Sequence, residues 1–276
     1  MTDRISTELE PVADVALDEK MRAMWAHFKK PWMRRELRKF LPPTRAEVMA
    51  CQFVLNPRDN HTEFRMWENG VPPEHEATAH IAERLAGQDA VIVDVGANAG
   101  AFFLPILKRA GAGARAVVFE PKPVMRARLR TNVELNGFTD RVTIFDCAVG
   151  DAVARSALFL PGNGNLGQGR VQVDYGKSGK EAGVEVDIRP LADCLADAGV
   201  DRIDFLKVDV EGVEDKVIHP FLSQTKVPHP ELIYFEIVHD GVWTYPVLQT
   251  LESQGYVTDG VFEKNALYAR KAKTGG

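Results

Sequence analysis

The stretch Ala90-Val91-Ile92-Val93-Asp94-Val95-Gly96-Ala97-Asn98-Ala99-Gly100-Ala101-Phe102-Phe103-Leu104 decides how the rest of the chain is read. Its β-branched start, Val91-Ile92-Val93, reads as a strand buried on both faces, the usual state of a central parallel strand. Asp94 and Gly96 end the run, and small residues follow as far as Gly100. Phe102, Phe103, Ile106 and Leu107 then recur at helical spacing and give one apolar stripe. Strand, glycine turn and helix form a unit in which backbone can approach a ligand closely. Gly96 can adopt torsion angles closed to other residues, and Gly100 keeps a Cβ out of the way. The helix N-terminus is expected to add unpaired N–H groups facing an anion.

The spacing bears on which ligand the turn holds. Dinucleotide folds usually carry G-x-G-x-x-G here. This turn is Gly96-x-x-x-Gly100, with Asn98 where the second glycine would fall and Asp94 two residues before the first. A pyrophosphate would meet the Asn98 side chain and the Asp94 charge. A ligand with an ammonium and a carboxylate, such as the methionine end of S-adenosylmethionine (SAM), suits an acidic strand end better. The turn taken alone is equally a plain helix–strand packing turn, so the downstream sequence decides.

Downstream, the pattern alternates. Strands are expected at 115–119, 142–145, 203–208 and 232–235, with helices at 190–198, 213–222 and 244–254 and a terminal hairpin from Tyr256 to Ala269. Alternation of this kind implies a parallel sheet with right-handed crossovers. Acidic residues recur where strands end: Asp94, Glu120, Asp146, Asp209 and Glu236. In an open α/β sheet those ends line one crevice, which holds the ligand. Core packing would not choose five carboxylates there, because buried ones need partners. They favour a cationic or polyhydroxylated ligand. Glu120 follows the glycine turn by about 20 residues, where a carboxylate can accept both ribose hydroxyls. Its plainer role is a helix N-cap.

Upstream, Leu17, Met21, Met24, Trp25 and Phe28 form a helical stripe, which resumes after Pro31 at Met33, Leu37, Phe40 and Leu41. The basic cluster Lys29, Lys30, Arg34, Arg35, Arg38, Lys39 reads as a solvated helix face or as a patch for an acidic substrate or surface. Thr44 to Glu47 fits a capping box, while Val48 to Leu55 fits a strand, and the sequence leaves both open. A short helix from Glu63 is stopped by Gly70, and another runs from the Pro72-Pro73-Glu74 region to Leu85. The insert between Leu160 and Val184 is glycine-rich: a flexible spacer, or a loop that closes over the crevice.

Several pieces together resemble the FkbM-type SAM-dependent methyltransferases. They are Asp94 to Gly100, Phe119-Glu120-Pro121, Asn132 with Asn136, Ala148-Val149-Gly150-Asp151, Asp204 to Gly212 with Glu214, and Tyr234-Phe235-Glu236-Ile237. Asp59, Gly70 and Glu74 to Glu76 look like the same family's N-terminal segment. The resemblance covers residues 55 to 270 and implies an α/β, three-layer, Rossmann-like class I methyltransferase. Its mostly parallel seven-stranded sheet would end in an antiparallel strand. Residues 1–55 would be a mainly helical extension and 56–276 the methyltransferase domain. By the same resemblance, Asp94, Gly96, Asn98 and Gly100 would hold the methionine end of SAM and Glu120 the ribose. Asp146, Ala148 and Val149 would border the adenine, and Asp209 would lie beside the sulfonium.

The implied activity is methyl transfer to oxygen on a sugar, glycan or small natural product. Such transfer needs an acceptor oxygen placed in line and one proton removed. Candidates for the base are Glu211, which the family motif supports, Glu236, and His239, which has the convenient pKa. Plainer roles are a helix cap for Glu211 and a surface position for His239. A divalent metal on Asp209 and Glu236 is conceivable but not expected. The competing readings are a SAM-binding protein without catalysis and an NAD-dependent oxidoreductase. The turn spacing and the lack of a Tyr–Lys hydride-transfer pair disfavour the second.

Composition narrows the field further. The 276 residues are 45% hydrophobic and 26% charged, ordinary for a globular α/β domain with an extension. A net charge of −5 argues against nucleic-acid backbone as the partner. Cys51, Cys147 and Cys194 share no metal-type spacing. The opening residues show no leader pattern and no apolar run is long enough to span a membrane, so a cytoplasmic protein is expected. The extension could serve a dimer; the sequence does not fix the oligomeric state.

Overall fold

The computed structural model describes residues 15–159, 170–172 and 184–271. The chain opens with α1 (Val15–His27), α2 (Pro31–Arg38), a hairpin of β1 (Thr44–Val48) and β2 (Cys51–Leu55), α3 (His61–Asn69) and α4 (His75–Arg84). The sheet begins with β3 (Val91–Val95), α5 (Phe103–Arg109), β4 (Arg115–Phe119), α6 (Pro123–Leu135) and β5 (Val142–Phe145). Next come β6 (Ala148–Gly150), β7 (Ala154–Phe159), β8 (Arg170–Gln172), β9 (Val184–Pro190) and α7 (Leu191–Asp197). The chain closes with β10 (Phe205–Val208), α8 (Asp215–Leu222), β11 (Leu232–Glu236), α9 (Val247–Ser253), β12 (Tyr256–Phe262) and β13 (Asn265–Arg270).

Seven strands form the main sheet in the order β12-β13-β11-β10-β3-β4-β5. β3, β4, β5, β10 and β11 are mutually parallel, while β13 runs antiparallel to both β11 and β12. All five residues of β3 are buried, as its β-branched run requires. Alternate residues of the strands feed two cores. Ile92, Val118, Phe205 and Leu232 pack against α4, α5, α6 and the N-terminal hairpin. Val93, Val117, Leu206 and Ile233 pack against α7, α8 and α9. Helices cover both faces, giving three layers, and strand order reverses between β3 and β10. That reversal is where an open α/β sheet leaves a crevice at its carboxyl edge.

Two features go beyond the sequence reading. Residues 44–55 form a two-stranded hairpin, neither a capped helix start nor a single strand over 48–55, turned by Met49 and Ala50 at φ +50° and +61°. Such a pair of left-handed residues matches the twist of a tight hairpin. A second, four-stranded sheet, β6-β9-β7-β8, follows β5 in the chain, and its strands β7 and β9 flank the glycine-rich insert. Most of that insert lies outside the described residues, so neither reading of it meets a structure. The arm before Val15 lies outside them as well.

The basic cluster of the first two helices is partly turned inward. Arg34 pairs with Glu68 at 3.1 Å, and Arg38 Nε donates to the Pro57 carbonyl at 2.6 Å. Trp25 packs edge-on against Phe64 and Trp67, with ring centroids 5.5 Å away in both cases. These contacts seat the extension on α3 and engage two of the cations in doing so.

Candidate functional site

Strand register builds the floor of the site. Asp94 of β3 lies opposite Lys207 of β10, and Lys207 lies opposite Tyr234 of β11. Partners in parallel register share a face, so a polar row crosses three strands beneath the crevice. Lys207 Nζ stands 3.7 Å from Asp94 Oδ1, an ion pair without a hydrogen bond, and 3.1 Å from Asp209 Oδ2. Asp94 is wholly buried and neither carboxylate oxygen has a hydrogen-bond partner. Burial pushes its pKa up to about 6 against the pull of Lys207, and the Asp209 charge adds to the rise. Burial works against the charge on Lys207, but Asp209, Asp94 and Glu74 outweigh it and hold its pKa above the ordinary value.

Glu74 completes this end. It precedes α4, and its Oε1 accepts from the Tyr234 hydroxyl at 3.1 Å and from Asn265 Nδ2 at 3.2 Å. Burial raises its pKa to about 7, Lys207 opposing and Asp209 assisting. Phe102 stacks on Tyr234 at 5.2 Å and lies 5.4 Å from Lys207 Nζ.

The glycine turn satisfies its own N–H groups. Gly96, Asn98 and Gly100 all take left-handed φ values, +89°, +52° and +87°. Gly96 N and Ala97 N both donate to the Phe119 carbonyl, at 3.1 and 3.0 Å. Asn98 N donates to Glu120 Oε2 at 2.9 Å, and Ala99 N to Asn98 Oδ1 at 2.8 Å. The turn thus consumes these N–H groups within the protein, and α5 does not begin until Phe103. Donors from the turn itself are therefore not offered to the crevice. The physical reason is Glu120, whose carboxylate takes both Asn98 N and Lys122 N, the latter at 2.9 Å. Burial raises the pKa of Glu120, against Lys122 and those two N–H donors. Each of its oxygens retains a second lone pair for a ligand hydroxyl.

Residues upstream hold the turn from behind. Asn60 caps α3 by accepting from Glu63 N at 3.1 Å, and its Nδ2 donates to Asn98 Oδ1 at 2.8 Å. Arg128 of α6 spans Asp59 and Glu63 at 2.8 Å each. One turn on, Asn132 accepts from Val54 N and donates to the Ala99 carbonyl, both at 2.9 Å. Asn136 pairs with the backbone N–H and carbonyl of Gln52. The i,i+4 asparagines therefore act as a strand edge for β2 while fixing the turn.

One cavity collects most of the expected site. Its wall includes Gly96, Asn98, Glu120, Ala148, Val149, Asp209 and Glu211, with Lys207, Glu74 and Phe102 at the same end as Asp209. Asp94 lies under its floor, and Gly100 is packed against Leu104 and Leu129 rather than forming wall. Asp146 is exposed and absent from the wall, where its neighbour Cys147 stands. Glu211 sits at φ +60°, a strained conformation for a residue with a side chain. Glu214 holds that turn: its Oε1 accepts from Val210 N at 3.2 Å and Gly212 N at 3.0 Å. Glu236 and His239 do not line the cavity; they cluster with Glu214 beside it. The chemistry of Glu74 and Lys207 escaped the sequence reading. Lysine facing aspartate across one parallel register was the available signal.

The strand order, with β13 inserted antiparallel between β11 and β12, and the crevice at the reversal define a class I methyltransferase fold. The family profile described as the methyltransferase FkbM domain matches residues 94–258, more than half of the chain, and the chain belongs to that family. It is 35% identical over 152 residues to methyltransferase sdnD of Sordaria araneosa, covering 46% of this chain and 58% of that protein. It is 31% identical over 153 residues to 2-O-methyltransferase NoeI of Sinorhizobium fredii, covering 50% and 60%. A third relative is 31-O-demethyl-FK506 methyltransferase FkbM of Streptomyces tacrolimicus, 32% identical over 156 residues, covering 46% and 58%. The matched region thus spans a little over half the length of these relatives. Membership leaves no place for the oxidoreductase reading.

Proposed function

We propose that the chain is a SAM-dependent methyltransferase acting on a hydroxyl of a sugar, glycan or small natural product. The observation that carries this reading is the acceptor-rich cradle. The turn N–H groups are spent internally, while Glu120, Asp209 and the buried Asp94 carboxylate, which accepts no hydrogen bond, face or underlie the cavity. A pyrophosphate asks for donors; a ligand with an ammonium, a sulfonium and ribose hydroxyls asks for acceptors. The residues present fit SAM on that ground. Glu120 would take the ribose, Asp94, Gly96 and Asn98 the methionine end, and Ala148 and Val149 the adenine. When bound, SAM supplies an electrophilic methyl group. The O-methyltransferase names of two relatives support oxygen as the acceptor atom.

The chain's own part is to orient the acceptor and remove its proton. Glu211 is our choice of base, because it lines the cavity two residues beyond Asp209 on a turn kept rigid by Glu214. The Glu211 carboxylate takes the hydroxyl proton, and Lys207 balances the charge of Asp94 and Asp209 so that both remain beside the cofactor position. The three cysteines are all free, which fits a reducing cytoplasm. Among the described residues no helix is long and apolar enough to cross a membrane. Exposed Met24, Trp32 and Phe40 support self-association through the extension, which light scattering would test.

The deciding experiment is labelled methyl transfer from SAM across a panel of hydroxylated acceptors, with thermal-shift titration by SAM and NAD alongside. Stabilisation by SAM without transfer to any acceptor would favour a binding protein. For Glu211→Gln, single-turnover transfer should fall roughly 10²–10⁴-fold with SAM affinity kept. Near-normal turnover would remove Glu211 and point to Glu74.

A further inference from the structure

Beside the Glu211 turn stands a group of three side chains that the proposed reaction does not use. Glu214 precedes α8, Glu236 ends β11 and His239 lies three residues further along, and one ligand atom from each falls within 4.8 Å of the others. His239 Nδ1 is 3.3 Å from Glu236 Oε2 and 3.9 Å from Glu214 Oε2.

The unmet valences are the telling part. Glu214 is completely buried, and although its Oε1 accepts two backbone N–H groups, its Oε2 has no hydrogen-bond partner. His239 Nδ1 is also buried without one. A buried carboxylate oxygen left unsatisfied is costly, and here it is aimed at an imidazole nitrogen that is equally unsatisfied.

We propose that Glu214 Oε2, Glu236 Oε2 and His239 Nδ1 bind a divalent first-row metal ion. Ligand atoms 3.3 and 3.9 Å apart suit an ion at roughly 2.0–2.2 Å from each. Two carboxylates with an imidazole favour Mn²⁺, Fe²⁺ or Zn²⁺ over Ca²⁺. The side chains of Glu236 and His239 are 17% and 23% exposed, which leaves a path from solvent and room for water ligands. The ion would tie the loop after β11 to the Glu211 turn, because the other oxygen of Glu214 already holds that turn. The position differs from the Asp209–Glu236 pair considered from sequence: the register and the α8 approach bring in Glu214 and His239 instead.

The test uses the full chain stripped with EDTA and dialysed. Mn²⁺ titration followed by electron paramagnetic resonance, and Zn²⁺ titration against a chromophoric chelator, should each show one saturable site. Glu236→Gln and His239→Ala should weaken binding by roughly 10–100-fold. Circular dichroism in EDTA confirms that both variants are folded, and Glu214→Gln is left aside because it also loosens the turn. Absence of saturable Mn²⁺ and Zn²⁺ binding by the wild type overturns the site, as it would if His239 were simply an imidazolium between two carboxylates. Wild-type affinity in both variants overturns it as well. SAM titration of the same metal-free protein keeps this outcome separate from the fate of the methyltransferase reading.

Discussion

Replacing Gly96 by alanine probes the point at which β3, β10 and the crevice meet. Gly96 has φ +89°, and a Cβ built there would collide with the Asp209 carbonyl oxygen, with the carbonyl carbon 3.2 Å away. The close neighbour is therefore the protein's own backbone rather than a ligand. Left-handed strain at a residue with a side chain costs about 1–2 kcal/mol. Relieving the collision requires the strand ends to part where Asp209 N donates to the Val95 carbonyl at 3.0 Å. Losing that bond adds about 0.5–1.5 kcal/mol, so the stability loss should be about 1.5–3.5 kcal/mol in urea denaturation. Gly70 supplies the control: its φ is +78° but nothing lies within 4 Å of a built Cβ. Gly70→Ala should show the strain alone, about 1 kcal/mol. Because Asp209 must move, SAM affinity by calorimetry should fall at least roughly tenfold in Gly96→Ala, the equivalent of about 1.4 kcal/mol. Equal destabilisation of the two variants, with SAM affinity within about twofold of wild type, would refute the reasoning.

Three further outcomes are expected. Glu120→Ala should weaken SAM binding by about 1.5–3 kcal/mol in calorimetry, the scale of a lost charged hydrogen-bond acceptor, with Glu120→Gln recovering part of it; a change within twofold would return Glu120 to holding the turn alone. Asn60→Ala removes the α3 cap and the bond to Asn98, so thermal stability should drop by about 1 kcal/mol and SAM affinity should drop with it; loss of stability alone would separate the cap from the turn. Glu74 has its carboxyl raised from 4.5 to about 7, so the folded state binds its proton more readily than the unfolded state does. Its contribution to stability is complete below about pH 4.5 and is lost as pH rises to about 7, so Glu74→Gln should gain on wild type across that window in pH-resolved denaturation; a constant difference would count against a buried carboxyl.

The fold was legible because its determinants are local. A β-branched run, a glycine turn and a helical stripe name one unit, and repetition of that unit names a parallel sheet. The places of Asn98, Glu120 and Asp209 on the cavity wall were also legible, since each sits at a fixed distance from a strand end. Lys207 was quoted within a motif, yet its role depends on standing opposite Asp94 and Tyr234, a fact of register between strands far apart in the chain. Glu74 depends on α4 approaching β11, which no period in the sequence reports. The internal use of the turn N–H groups was hidden for a comparable reason: Glu120 and the Phe119 carbonyl, at the end of the adjacent strand β4, take them. Residues 44–55 stayed ambiguous because the partner that makes β2 a strand is partly a helix, through Asn132 and Asn136.

The region matched to the family begins at residue 94, yet the site is not complete there. Asn60 reaches Asn98, Arg128 is clamped by Asp59 and Glu63, and Glu74 meets Tyr234 and Asn265 above the Asp94–Lys207 pair. Each contact links a residue upstream of β3 to one beyond it, and several are buried and charged. Buried pairs of this kind add little to net stability, because desolvation offsets their attraction, but breaking one leaves a stranded charge. Their consequence is specificity of arrangement: Asn60 holds the side chain of Asn98 while Glu120 holds its backbone N–H. The segment from β1 to α4 is therefore part of the candidate site in physical terms. It adds a hold on the glycine turn, and through Glu74 it contributes to the charge balance at the end of the cavity that holds Lys207 and Asp209.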